Sequence, residues 1–149
     1  MINLNRILIK MKVQKNKSRN ITLTVDTIIM TKENQIVLVK RTFDPFRDCW
    51  ALPGGIVEYG ETVESAATRE AKEETGLKVR IETLLGVYSD PKRDPRGHFV
   101  SICFLCRSMG GNLKTSNETK EVRAFKKEEI RHLKLAFDHR KILEHLKMI

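Results

Sequence analysis

The sequence predicts an α+β domain in which a layer of strands packs against helices. Three observations lead there: β-branched apolar runs flank the centre of the chain, the centre itself switches to helical periodicity, and a second helical pattern closes the C-terminus. At 149 residues the chain is the size of one domain with a real core.

Taken in order, residues 1–20 are basic and Asn-rich, and they read as a short leading strand and a loop, an extension ahead of a domain spanning 21–149. ITLTVDTIIM (21–30) and QIVLVKR (35–41) are β-branched runs separated by polar TKEN, the pattern of an antiparallel hairpin. TFDPFRDCWALPGG then carries two prolines and a glycine pair, which mark a loop. From Thr62 to Thr75 the apolar residues Val63, Ala66, Ala67 and Ala71 recur at spacings of three and four, with Thr62 placed as N-cap and Gly76 as the stop. KVRIETLLGVY (78–88) and HFVSICFLCR (98–107) read as strands around the loop SDPKRDPRG (89–97). MGGN (109–112) reads as a turn, VRAF as a short strand and KEEIRHL as the start of a small helix. Ile142, Leu143 and Leu146 stand at helical spacing, so the chain is expected to end in an amphipathic helix.

Composition narrows the function class. Charged residues make up 32 % and hydrophobic ones 40 %, which excludes disordered and collagen-like classes. No apolar run approaches the length of about twenty residues that a membrane helix needs. Lys and Arg outnumber Asp and Glu by 28 to 19, and the net charge of +9 favours phosphate-bearing ligands or nucleic acid over cationic ones. Cys49, Cys103 and Cys106 are odd in number, and no signal peptide is expected because Lys10, Lys12 and Lys15 interrupt the apolar run Ile7 to Ile9; a reducing cytoplasm fits best. Cys103 and Cys106 have C-x-x-C spacing, but strand alternation sends their sulfurs to opposite faces, against a metal or redox role.

The central helix poses a problem of charge. Glu70, Glu73 and Glu74 lie three and four positions apart and so project from neighbouring points on one face, where like charges destabilise a helix. That face adjoins the alanine stripe, so at least one glutamate is expected to be shielded from water, where a bare charge is costly. Arg69 and Lys72 compensate in part. A hard divalent cation compensates better, because Mg²⁺ takes oxygen ligands and completes its shell with substrate phosphates. A solvated helix face is the alternative.

The context upstream decides between them. Residues 55–77, GIVEYGETVESAATREAKEETGL, resemble the Nudix box, G-x5-E-x7-R-E-U-x-E-E-x-G-U, where U is apolar. Every fixed position is filled: Gly55, Glu61, Arg69, Glu70, Glu73, Glu74 and Gly76, with Ala71 and Leu77 at the apolar places. WALPGG (50–55) looks like the family's lead-in, and Glu121 with VRAFKKEEI (122–130) is similar to the segment after its last core strand, although Phe125 stands where tryptophan is common. The likeness runs from about Thr22 to Leu133.

The resemblance implies a Nudix α/β/α sandwich with a mixed sheet in a single domain, hydrolysing a nucleoside diphosphate linked to another moiety. It implies that Glu70, Glu73, Glu74 and the Gly54 carbonyl hold Mg²⁺ or Mn²⁺, that Arg69 and Glu61 orient those ligands, and that Glu70 or Glu121, with Glu118 behind them, supplies the general base. Arg41, Arg93 and Arg96 are the expected cations for substrate phosphates, and Phe43, Phe46 or Trp50 could stack on a base. His98 is expected to be structural. YSDPKRDPRGH (88–98) resembles the corresponding loop of small bacterial and archaeal ADP-ribose pyrophosphatases, which implies splitting of ADP-ribose to AMP and ribose 5-phosphate. Two other readings stand beside it: a nucleoside triphosphate pyrophosphohydrolase that sanitises oxidised nucleotides such as 8-oxo-dGTP, and a Nudix module that binds nucleotide or RNA without cleaving it. The intact carboxylates argue against the last, so the expected partner is a small nucleoside diphosphate derivative rather than nucleic acid, and the resemblance leaves a homodimer open.

Overall fold

The computed structural model describes residues 20–149. The leading strand expected within residues 1–20 falls outside that range. Strand β1 (Thr22–Met30) and strand β2 (Ile36–Arg41) form the expected antiparallel pair, but they are in register only at Met30 and Ile36, beside the turn. Beyond it they splay, and the chain fills the gap with two short strands where the sequence suggested loop alone. β3 (Trp50–Ala51) pairs with β2, and β4 (Gly54–Ile56) pairs with β1. Neither carries a periodicity of its own, since each is held by its partner rather than by its composition.

Helix α1 (Val63–Thr75) follows with the predicted ends. Thr62 Oγ1 accepts the Ser65 N–H at 3.1 Å, and Gly76 takes the left-handed conformation, φ 79°, that a terminating residue adopts without strain only when it lacks a Cβ. β5 (Leu77–Tyr88) and β6 (Phe99–Gly111) are long antiparallel partners. β6 runs through the glycine pair expected to turn, because Leu77 and Lys78 pair with Gly111 and Gly110 and keep that stretch extended. β7 (Thr119–Phe125) returns to β2, and short helices α2 (Lys127–Ile130) and α3 (His139–His145) end the chain.

The result is one mixed sheet in the order β3-β2-β1-β6-β5, with β4 on β1 and β7 on β2. Its parallel element is β1 against β6, in register from Thr22 with Phe99 to Met30 with Arg107. Being central, β1 is buried along most of its length, which explains why ITLTVDTIIM lacks a clean polar alternation. One face of the sheet packs Val25, Ile29, Val37, Phe104 and Cys106 against Ala66, Ala67 and Ala71 of α1. The other packs Ile28, Leu38, Trp50, Cys103 and Phe125 against Ile130, Ile142 and Leu143. This is an α/β/α sandwich. The two cysteines of the C-x-x-C spacing fall in opposite layers as free thiols, and burial pushes both thiols up, Cys106 to about 12. Among the described residues, no helix is long and apolar enough to cross a membrane.

Candidate active site

The site is built where β1 and β2 part. Pro53 O accepts both the backbone N–H and the hydroxyl of Thr27, so the loop into β4 is hydrogen-bonded to the middle of β1. Gly54 then donates its N–H to Glu74 Oε2 at 3.0 Å. Side chains are excluded at both glycines: a Cβ on Gly54 would lie 2.1 Å from Val25 O, and one on Gly55 2.3 Å from Glu70 Oε1. The glycines thus let α1 press its carboxylates against this loop.

Glu70 is 1 % exposed, as the position of the acidic face beside the alanine stripe predicts. A charge so buried needs a partner, and Arg69 Nη1 donates to Glu70 Oε1 at 2.9 Å. The same guanidinium grips Glu61 through Nε and Nη2 at 2.5 and 2.8 Å, touches Ile56 O at 3.1 Å, and lies 3.6 Å from Glu73. Glu61 in turn accepts the Glu58 N–H. Arg69 and Glu61 therefore work as a brace behind the acids. Glu73 is the solvent-facing member, its side chain 41 % exposed.

Hard oxygen donors of negative charge are what a divalent cation requires, and Glu70, Glu73 and Glu74 supply them on one wall beside the Gly54 carbonyl. Their chemistry fits such an ion. Among the described residues, however, no three His, Cys, Asp or Glu side chains stand close enough to form a ready cluster: Glu70 is turned to Arg69 and Glu74 to the Gly54 amide.

The three glutamates line a cleft of about 1560 Å³, together with Arg41, Arg96 and Glu118. Arg41, at the end of β2, donates to Pro45 O and Phe43 O. Burial lowers its pKa, and the charge of Arg96 adds to the effect, while Glu74, Asp94 and Glu118 oppose it. Arg96 is gripped by the buried carboxylate of Asp94 through Nε and Nη2.

The other expected residues fall partly on this cleft and partly away from it, and Arg93 lines it as well. The Arg93 side chain is only 5 % exposed, with Nε and Nη2 on Asp138 at 2.9 and 2.7 Å and Nη2 on Asp26 at 3.3 Å. Its guanidinium, expected to meet substrate phosphate, is paired here with two carboxylates, as a buried cation requires. Glu121 points away from the cleft and pairs with Lys40 at 2.9 Å, whereas Glu118 lines it. Phe46 packs edge-on against Phe137, their centroids 4.8 Å apart, and Trp50 is core against Phe125; of the three aromatics considered, Phe43 lines the cleft, 55 % exposed. His98 Nε2 lies 3.3 Å from Ser89 O, a structural contact as expected.

Sequence reasoning gave no role to Asp26, Asp94, Phe137, Asp138 and His139. Asp26 had a signal, a lone acid inside an apolar strand run, and it now joins β1 to Ser101 Oγ, Arg93 and His139. Leu52 donates its N–H to His139 Nδ1 at 3.0 Å, which puts the imidazole proton on Nε2, facing Asp26 Oδ1 at 3.5 Å. Phe137 to His139 belong to no motif, and no sequence signal marked them.

The family model of the NUDIX domain matches residues 21–146, and the chain belongs to the Nudix family. With the full box in place, its class is that of a Nudix pyrophosphohydrolase. Its relatives include an ADP-ribose pyrophosphatase of Methanocaldococcus jannaschii, 54 % identical over 123 residues that make up 82 % of this chain and 70 % of the relative. Another is the 8-oxo-dGDP phosphatase of Homo sapiens, 38 % identical over 67 % of this chain and 29 % of that protein. Among solved structures, a bifunctional NMN adenylyltransferase/ADP ribose pyrophosphatase from Francisella tularensis, complexed with AMP and a manganese ion, superposes with a TM-score of 0.79 at 26 % identity, covering 98 % of this chain and 46 % of that one. Dependence on divalent metal is general in the family, in keeping with that ion.

Proposed function

We propose that this protein hydrolyses the pyrophosphate bond of ADP-ribose, giving AMP and ribose 5-phosphate, with Mg²⁺ or Mn²⁺ as cofactor. The observation that carries the reaction is the single cleft that joins the α1 carboxylates to Arg41 and Arg96. Its likeness to the Methanocaldococcus enzyme supports the substrate.

In this reading Glu70, Glu73, Glu74 and the Gly54 carbonyl hold the metal, which, when bound, neutralises phosphoryl charge and acidifies water near neutral pH. Arg69 and Glu61 keep Glu70 in place. Arg41 and Arg96 take the negative charge of the two phosphoryl groups. A water oxygen forms the new bond to phosphorus, the bridging P–O bond breaks, and a cleft carboxylate accepts the water's proton. Glu70 and Glu118 line the cleft and are retained for that role, while Glu121 is 53 % exposed outside it. In this reading residues 21–149 form the hydrolase unit, with the basic stretch 1–20 as an N-terminal extension.

The experiment is a panel of ADP-ribose, nucleoside triphosphates and 8-oxo-dGTP with Mg²⁺ or Mn²⁺, read by product analysis. AMP and ribose 5-phosphate from ADP-ribose, abolished by chelator, are expected. Preferential release of pyrophosphate from a triphosphate would replace this reading with the sanitising one. Glu73→Gln and Glu74→Gln each keep side-chain size and remove charge, and each should slow hydrolysis roughly a hundredfold, on the scale of several kcal/mol that a catalytic metal supplies.

A further inference from the structure

The proposed reaction does not use Phe137, yet its ring lies in the cleft wall in an unusual setting. It sits just before α3 with φ 52°, in the left-handed region that bulky side chains rarely occupy and that functional sites retain at a cost. The Arg41 Cζ lies 4.9 Å from its centroid and the Arg96 Cζ 5.4 Å, while Arg96 also lies 4.8 Å from the Phe99 ring. Phe46 supports the ring edge-on.

Two guanidinium groups on one ring repel each other, and the depressed pKa of Arg41, due first to burial and then to Arg96, records that repulsion. The ring packs against the apolar cluster of Val39, Cys49, Ala51 and Ala136, and it also gathers two cations on a surface shared with the carboxylate wall. Attraction of each cation to the π face offsets part of the repulsion. Asp94 on Arg96 and the carbonyls of Pro45 and Phe43 on Arg41 fix the two heads from behind.

We propose that Phe137 is a positioning residue that holds Arg41 and Arg96 together as a clamp for two adjacent phosphoryl groups, selecting a diphosphate over a single phosphate. The inference rests on the assignment of both arginines to substrate phosphate. Two cations fixed on one ring match an anion whose charge spans two linked phosphoryl groups, whereas a single phosphate engages them one at a time.

The test is calorimetric titration of the full chain, in Mg²⁺ buffer, with inorganic pyrophosphate and separately with inorganic phosphate. Phe137→Leu should weaken pyrophosphate binding about five- to thirtyfold and phosphate binding less than about twofold, while Phe137→Tyr, which keeps the π face, restores the wild-type value. In hydrolysis, KM should rise with little change in kcat, and Mn²⁺ affinity should be unchanged. In an Arg41→Lys background the effect of Phe137→Leu should shrink, since a role carried through Arg41 is not additive with its loss. Phe137→Met, equally without a π face, serves should the leucine variant not fold. Unchanged pyrophosphate affinity in the Leu or Met variant, or failure of Tyr to restore it, overturns the clamp. A wild-type protein that leaves ADP-ribose intact but binds pyrophosphate in a Phe137-dependent way would instead overturn the substrate assignment and leave the clamp standing.

Discussion

Arg69 shows how much of the site rests on one side chain. It joins the buried Glu70, the partly covered Glu61 and the Ile56 carbonyl, so removing it takes a cationic partner away from a charge in the interior. Arg69→Met should cost about 3 kcal/mol in chemical denaturation, the scale for breaking a buried ion pair. Adding Glu70→Gln should return more than half of that loss, because the amide does not need the guanidinium. Strictly additive costs would show that the two residues are not coupled. At this scale the sequence was informative where spacing reports chemistry. The acids of α1 could be singled out because three of them on one helix face demand compensation, and Gly55, Glu61 and Arg69 through their place in the Nudix box; the structure adds that the missing side chain of Gly55 makes room for Glu70. Arg93 could not be told from Arg96 by the same means. Both are arginines of one loop that line the cleft, and only the structure shows that Arg93 is paired with Asp26 and Asp138 and Arg96 with Asp94.

Elements were legible in proportion to how far their order is local. Helix α1 carries its own N-cap, apolar stripe and stop, and the structure has all three where the pattern puts them. β3 and β4 are set by strands distant in sequence, and β6 continues through a glycine pair because β5 lies beside it. The stop at Gly76 is the most demanding local choice in the helix. Its backbone is left-handed, and a Cβ there would fall 2.3 Å from the Asn112 carbonyl. Gly76→Ala should therefore destabilise by more than the roughly 1–2 kcal/mol that the conformation alone costs an L-residue. Thermal and urea unfolding of that variant measure it, and a loss no larger than that range would mean the 112 segment yields freely.

On the scale of the whole molecule, Asp26 ties the centre of the sheet to the 89–97 loop and to the start of α3. Burial by itself would raise its carboxyl, but His139, Arg93 and the Ser101 hydroxyl together hold it below its ordinary value of 3.8. A carboxyl depressed in the folded state stabilises the protein above the unfolded value near pH 4, and that contribution is lost as pH falls through the lower folded value. Asp26→Asn should accordingly lower stability at pH 7 and flatten the loss between about pH 4 and pH 2, as measured by denaturant titration at each pH. A wild-type acid limb retained in full by the variant would assign the effect to other carboxylates. The splayed hairpin bears on motion. Because Thr27 anchors Pro53 and β4 is paired to β1, the Gly54–Ile56 amides belong to the most cooperative part of the sheet. Their hydrogen exchange should follow global unfolding rather than local opening. Any breathing that admits a ligand then falls to segments less firmly tied, such as 112–118, so that one wall of the cleft is as permanent as the fold and substrate traffic is the business of the other.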